Sequence, residues 1–198
     1  MRPITLFLAS SKELAADREK FEVFIRRKNN EWQKDGKPYL KLELWEDTST
    51  AMSRTRSQDE YNKIIPTSDI FVMLIWTKVG KYTLEEYTMA KKRFKETGKP
   101  KVYVYQKLIE REKQEQSLID FTKYLTAIPE EAYFWEKYEH HDSLLLKIEK
   151  ELNRYYKEDY TTTEAQKDKQ SEGISIVQEG EKSIAIAKNE GTINLNVT

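Results

Sequence analysis

Cysteine is absent from this chain of 198 residues, and histidine occurs only as the adjacent pair His140 and His141. The absence of cysteine excludes disulfides, thiolate catalysis and cysteine-ligated zinc or iron–sulfur sites. Two adjacent imidazoles point to different faces of a helix, which argues against a histidine triad or a multi-histidine metal site. We therefore expect no metal site.

An excess of either charge is also absent, since 34 Lys and Arg residues balance 34 Asp and Glu residues. This balance argues against binding nucleic acid through phosphate neutralisation. No apolar run approaches the roughly 18 residues of a membrane span, and the first residues lack the basic and apolar regions of a secretory signal. We expect a cytoplasmic protein with no nucleic-acid partner and no membrane contact.

Glycine is scarce, at six residues, and no Walker-type or dinucleotide-binding glycine pattern occurs. The chain therefore lacks the signature of a triphosphate site or a hydride-transfer cofactor, and we expect no cofactor. Aromatic residues are plentiful at 12%, enough to fill the core of a folded domain with a heavily charged surface.

Apolar strand patterns alternate with helical patterns along most of the chain. The predicted strands cover residues 4–9, 40–45, 70–76, 102–105 and 133–135, of which 70–76 is the most hydrophobic segment. The first predicted helix begins near residue 12, and the others cover 58–65, 83–97, 108–125 and 143–156. Pro66 ends the helix predicted at 58–65. This alternation predicts an α/β fold, a flavodoxin-like doubly wound and mainly parallel five-stranded sheet.

The composition changes after Tyr160, and we expect the α/β domain to cover residues 1–157. A polar segment at 158–172 predicts a flexible linker. Residues 173–198 repeat a short alternating β pattern at 174–176, 183–186 and 192–197, separated by glycines. Three such segments are too few to bury a core alone. They predict either a motif that stacks between chains or a hairpin added to the domain's own sheet edge.

The ligand crevice of a doubly wound sheet lies at the carboxyl ends of its strands, where this sequence places Ser10, Trp45, Trp76 and Gln106. Ser10 and Ser11, with the N-terminus of the first helix, are candidates to bind a phosphate, and simple helix capping is the alternative.

Aromatic side chains border the same predicted crevice. Trp76 and Tyr82 are candidates to stack on nicotinamide or adenine, and packing in the core or at the rim is the alternative. Trp45 and Asp47 are candidates to close the pocket, although the start of a polar loop explains them equally well.

Residues 76–90 join the central strand to a helix on the ligand side of the sheet. Thr83 suits the N-cap of that helix, and Glu86 three residues later completes a capping box. The functional alternative is that Glu86 faces the crevice as the catalytic carboxylate of an N-glycosidic bond cleavage. A carboxylate there can bind ribose hydroxyls or stabilise an oxocarbenium-like centre.

The stretch from Ile4 to Gln106, about half of the chain, resembles the TIR-like domains of bacterial defence and signalling proteins. The resemblance rests on residues 8–11 (Leu-Ala-Ser-Ser), 15–19 (Ala-Ala-Asp-Arg-Glu), 68–74 (Ser-Asp-Ile-Phe-Val-Met-Leu) and 83–90. In the last, Thr83, Glu86 and Ala90 form a Thr-x-x-Glu-x-x-x-Ala pattern that nucleoside 2-deoxyribosyltransferases share. The resemblance implies that Glu86 corresponds to the glutamate with which TIR enzymes hydrolyse NAD or convert it to cyclic ADP-ribose products.

By this resemblance we expect an NAD glycohydrolase of a bacterial antiviral immune system, with NAD as substrate. TIR enzymes commonly complete their active sites by assembly, so we expect a homo-oligomer or filament formed through the TIR-like domain and the C-terminal β motif. A receptor protein with a matching motif is a possible activating partner. The alternatives are a non-catalytic TIR-like adaptor that acts by homotypic assembly and a nucleoside deoxyribosyltransferase-like enzyme.

Overall fold

A computed structural model of the chain describes residues 1–44, 64–127, 135–163, 174–179 and 182–187. The chain divides into two compact units, Met1–Leu146 and Lys147–Thr198. The division falls within a helix, upstream of the domain boundary that we predicted at residue 157.

The described strands are β1 (Ile4–Ser10), β2 (Leu40–Leu44), β3 (Ile70–Ile75), β4 (Lys101–Lys107), β5 (Trp135–Tyr138), β6 (Ile174–Glu179) and β7 (Lys182–Ala187). The described α-helices are α1 (Ala15–Lys34), α2 (Lys81–Thr97), α3 (Gln116–Ala127) and α4 (His141–Tyr155). Short 3-10 turns cover Lys12–Leu14, Ile65–Thr67 and Arg111–Lys113.

The first five strands form one parallel sheet in the order β2-β1-β3-β4-β5. This is the flavodoxin-like order, and it confirms the predicted fold class. The central strand β3 is buried at every position, as its uninterrupted apolar sequence requires. The edge strand β2 buries Leu40 and Leu44 and exposes Lys41, whereas Leu42 and Glu43 are both half-buried, so its burial follows the period of two only in part.

The helices cover both faces of the sheet. The crossover from β1 to β2 runs in the opposite direction along the sheet from the crossovers β3 to β4 and β4 to β5. Since such crossovers are right-handed, α1 lies on one face and α2 and α3 lie on the other. On the latter face, Phe7 and Phe71 pack with the helix residues Tyr87 and Phe121, whose rings meet edge to face at 5.2 Å.

Helix α1 is tied to the edge strand by one buried side chain. Asn29 donates through Nδ2 to the Leu40 carbonyl at 2.9 Å and accepts the Leu40 N–H through Oδ1 at 2.7 Å. Both bonds are buried, so the amide satisfies the outer peptide groups of β2, which is an edge strand of the sheet formed by the described residues.

A charged cluster joins the strands at their amino ends. Asp69 is 4% exposed and accepts two hydrogen bonds from the Arg2 guanidinium, at 2.8 and 2.9 Å. The same carboxylate accepts the Thr5 N–H at 3.0 Å and the Lys99 ammonium at 3.3 Å. These bonds link β1, β3 and the turn before β4 at the edge opposite the predicted crevice.

Several predicted boundaries differ from the structure. Helix α2 begins at Lys81 rather than Thr83, and it ends as predicted at Gly98, whose φ of 74° is the left-handed conformation that favours glycine. The region predicted as one helix at 108–125 contains a 3-10 turn and then α3. Pro66 lies inside a 3-10 turn. Of the helix predicted at 58–65, only residues 64 and 65 are among the described residues.

In the second unit, α4 is followed by a π-helical turn at Tyr156–Tyr160, and the chain stays helical to residue 163. The predicted linker therefore starts with helix. Strands β6 and β7 pair as an antiparallel two-stranded sheet, with Ile174 opposite Ala187 and Glu179 opposite Lys182. These strands coincide with the first two predicted β segments, and the third, at 192–197, lies outside the described residues.

Candidate active site at the carboxyl edge of the sheet

The crevice of this fold is located by the two strands at which the crossovers change direction. Strands β1 and β3 are neighbours, with Ser10 paired to Leu74. Helix α1 follows β1 on one face of the sheet, and α2 follows β3 on the other face. Their first turns therefore border a crevice at the carboxyl edge, the usual ligand position in such sheets.

The predicted phosphate-binding serines are held by an arginine. Arg18, 4% exposed on the first turn of α1, donates through Nη1 to Ser10 Oγ at 3.1 Å and to the Ser11 carbonyl at 2.8 Å. Capping by these hydroxyls, our alternative for them, is wrong. Ser11 occupies the N-cap position of the 3-10 turn without a side-chain cap, and its Oγ bonds to Glu13 at 3.1 Å instead.

Glu13 connects the loops that follow β1 and β3. Its Oε1 accepts the Thr77 N–H at 3.1 Å, and its Oε2 accepts a short hydrogen bond from the Thr77 hydroxyl. The two loops that border the crevice are thereby held together by charge-assisted bonds.

A second charged group lies at the ends of β3 and β4. The Lys107 ammonium contacts Asp17 Oδ2 at 2.8 Å and lies 5.0 Å from the centre of the Trp76 ring. Asp17 is 3% exposed as a residue, whereas the Lys107 side chain is 25% exposed and Trp76 is half-buried. The lysine therefore bridges a buried carboxylate and a partly exposed indole.

Tyr138 lies on β5, where it is paired with Lys107 of β4. Burial, and then the negative charges of Asp17 and Glu13, raise the pKa of the Tyr138 hydroxyl far above its ordinary value, so it stays protonated. Tyr138 Oη and Asp17 Oδ1 are both buried, and a hydrogen bond between these two side chains is a further cause of the raised pKa. Trp76 Nε1 is also buried, and it makes no hydrogen bond of normal geometry to the residues that the structure describes.

Glu86 lies in the second turn of α2, the helix that follows the central strand β3. Its side chain belongs to the buried face of that helix with Thr83, Tyr87 and Ala90, and the residue is 5% exposed. The predicted capping box is wrong, because Gly80 occupies the N-cap position and Thr83 is the third residue of the helix. Gln106 is also buried on this side, since Val102 and Val104 of the same strand pack under α2 and α3.

The remaining candidates are placed as follows. Tyr82 is 53% exposed at the start of α2, so it is a rim residue rather than a core residue. Trp45 and Asp47 lie outside the described residues. Sequence reasoning did not select Asp17 and Arg18 as site residues, although both occur in the segment 15–19 that carried the resemblance, and it gave no signal for Lys107 or Tyr138.

A separate groove of about 770 Å³ runs between α2 and α3, away from the predicted site residues. Its walls include Leu84, Tyr87, Phe121 and Tyr124, with Lys91, Lys92 and Lys95 at one end. Glu86 does not line it, because Leu84, Tyr87 and Thr88 face the groove from the neighbouring stripe of the helix.

The part of the chain that the structure describes has neither a metal-binding cluster nor a membrane-spanning helix. Among these residues, no three His, Asp or Glu side chains are grouped so that they could hold a metal ion. Within the same ranges, every helix is too short or too polar to cross a bilayer.

No family model and no curated protein matches this sequence. Among solved structures, the chain is similar to a protein described as the Clostridium botulinum CMP N-glycosidase BcmB, at 15% sequence identity. The similarity covers 73% of this chain and 98% of that one, with a TM-score of 0.42.

Proposed function

We propose that the protein hydrolyses the nicotinamide–ribose bond of NAD, with Glu86 as the catalytic carboxylate. The observation that carries the proposal is the position of Glu86, a carboxylate that is 5% exposed on the helix following the central strand, at the ligand-binding edge of the sheet. The resemblance to TIR-like domains supplies the substrate.

In the proposed reaction, the bond between ribose C1′ and the pyridinium nitrogen breaks, and its electron pair leaves with neutral nicotinamide. The Glu86 carboxylate stabilises the positive charge that develops at C1′ and the ring oxygen. Water then attacks C1′ and loses a proton to the carboxylate or to solvent, giving ADP-ribose. Attack by an adenine nitrogen in place of water would give a cyclic ADP-ribose product.

The remaining candidate residues have supporting roles in this proposal. Ser10 and Ser11 present hydroxyl and backbone groups toward a phosphate, fixed by Arg18. Trp76 and Tyr82 are half-buried and exposed respectively, and both can pack against the flat rings of NAD. Thr83, Trp45 and Asp47 complete the proposed pocket.

Regulation by assembly belongs to the same proposal. The C-terminal β motif would bring catalytic domains together, either with further copies of the chain or with a receptor that carries a matching motif, in a cytoplasmic antiviral response. Tethering raises the effective concentration of one domain at another, which would turn on an active site that needs two copies. A variant ending at residue 163 should then lose the steeper-than-linear dependence of NAD loss on protein concentration.

The test compares Glu86→Gln with Glu85→Gln, which removes the same charge from the adjacent, less buried position. We expect chromatography to show nicotinamide release by the wild type and by Glu85→Gln, and a loss of at least about 100-fold in Glu86→Gln. Equal rates for the three proteins would refute the catalytic role. Release of base from 2′-deoxynucleosides without NAD loss would instead support the deoxyribosyltransferase-like alternative, and no turnover in any assembling condition would support the adaptor.

A further inference from the structure

We propose that Lys107 and Trp76 form a subsite for a nucleoside phosphate, in which Lys107 binds the phosphate beside an aromatic plate and Asp17 is a positioning residue. The inference rests on the proposed function for its location. It adds to that proposal the residues that bind a phosphate of the nucleotide substrate. It assigns this binding to the ends of β3 and β4, in addition to the serines after β1.

The Lys107 ammonium is placed where it can bind an anion. Lys107 Nζ has three N–H donors, and among the described residues its hydrogen bond is to Asp17 Oδ2, at 2.8 Å. The side chain is 25% exposed, whereas that of Asp17 is 4% exposed. An anionic oxygen can therefore reach the ammonium from solvent while the carboxylate remains underneath.

The Trp76 indole lies beside this ammonium. Trp76 directly follows the central strand and is half-buried, with the Lys107 ammonium 5.0 Å from its ring centre. A planar base or nicotinamide ring that packs on the exposed part of the indole would bring its phosphate next to the lysine. Trp76 Nε1 is a buried donor without a hydrogen bond of normal geometry to any described residue, so the ligand contact of this side chain is through its ring.

The surroundings explain why Asp17 acts through Lys107 rather than on the ligand. The carboxylate is buried between Lys107 and the neighbourhood of Tyr138, whose hydroxyl stays protonated. Glu13, the other nearby acid, is engaged by Thr77 and Ser11. Asp17 thus fixes the position of the lysine over the indole, and its loss would leave the cation free to move away from Trp76.

The test measures binding of ADP-ribose and of adenosine to the full chain by tryptophan fluorescence, so that no turnover is required. We expect the wild type to prefer ADP-ribose and Lys107→Met to lose at least about tenfold of that preference, since hydrogen bonds to charged groups contribute strongly. Lys101→Met, on the same strand at its opposite end, should keep it. Trp76→Phe should abolish most of the fluorescence change.

Three further variants test the positioning role and control for misfolding. Lys107→Arg should retain the preference, Asp17→Asn should reduce it, and Asp17→Glu should restore part of it, with urea midpoints measured for each. The inference is overturned if the wild type binds both ligands equally, or if folded Lys107→Met keeps the preference. Loss of NAD turnover in Glu86→Gln alone with unchanged ADP-ribose binding would separate this subsite from the catalytic proposal.

Discussion

Replacement of Asn29 by alanine tests how the edge of the sheet is held to α1. The side chain makes two buried hydrogen bonds to the Leu40 peptide groups, at 2.7 and 2.9 Å. Asn29→Ala leaves one N–H and one C=O buried without these partners, at a cost of about 1–3 kcal/mol each. Alanine returns roughly 0.6 kcal/mol through its higher helix propensity, so we expect a net loss of about 1.4–5.4 kcal/mol.

The matched control is Asn30→Ala, one residue further along the same helix and exposed. It makes the same gain in helix propensity without removing the bonds to Leu40. Urea unfolding of the full chain, followed by far-UV circular dichroism, gives the free energy of unfolding for each variant. A difference of less than about 1 kcal/mol between the two variants would show that the Asn29 bonds do not stabilise the edge strand in the way argued here.

Substitutions at three further positions each test a single structural feature. Gly98→Ala should cost about 1–2 kcal/mol, because φ is 74° there, and Gly98→Asn should cost less; thermal melting of the two variants in parallel distinguishes them. Asp69→Asn should cost roughly 3 kcal/mol in urea unfolding by leaving the Arg2 and Lys99 charges without their buried acceptor, and a loss below 1 kcal/mol would contradict this. Tyr138 keeps its proton in the folded state above pH 10, where an unfolded tyrosine loses it, so the wild type should lose stability as pH rises past 10. In Tyr138→Phe the free energy of unfolding should fall less steeply with pH than in the wild type, by up to about 1.4 kcal/mol per pH unit. If the urea midpoints of the two proteins change in parallel from pH 8.5 to 11, the assignment is refuted.

The fold could be predicted because its signals are local. Uninterrupted apolar runs mark buried parallel strands such as β3, and the intervening helical patterns force crossovers of one handedness. The starts of helices were less predictable. Thr83 is a good capping residue by type, yet the chain turns earlier at Gly80, and Ser11 bonds to Glu13 rather than to the helix end.

The candidate site was predicted only where position along a strand decides the outcome. Ser10 and Trp76 follow from the ends of β1 and β3, and Glu86 follows from the helix after β3. The Asp17–Lys107 pair joins residues 90 positions apart, and Tyr138 joins it through the register of β4 and β5. Such pairs depend on how distant strands align, which no local pattern specifies.

Because the crossovers at β1 and β3 run in opposite directions, the two walls of the crevice can be changed separately. Each wall is encoded by one short continuous stretch, residues 10–18 on one side and 76–86 on the other. Each stretch starts at the end of a buried strand and runs into its own helix, and Glu13 with Thr77 is a direct link between them. A graft of either stretch from another protein of this fold, with that pair retained, should exchange half of the ligand specificity while leaving the other half and the sheet in place.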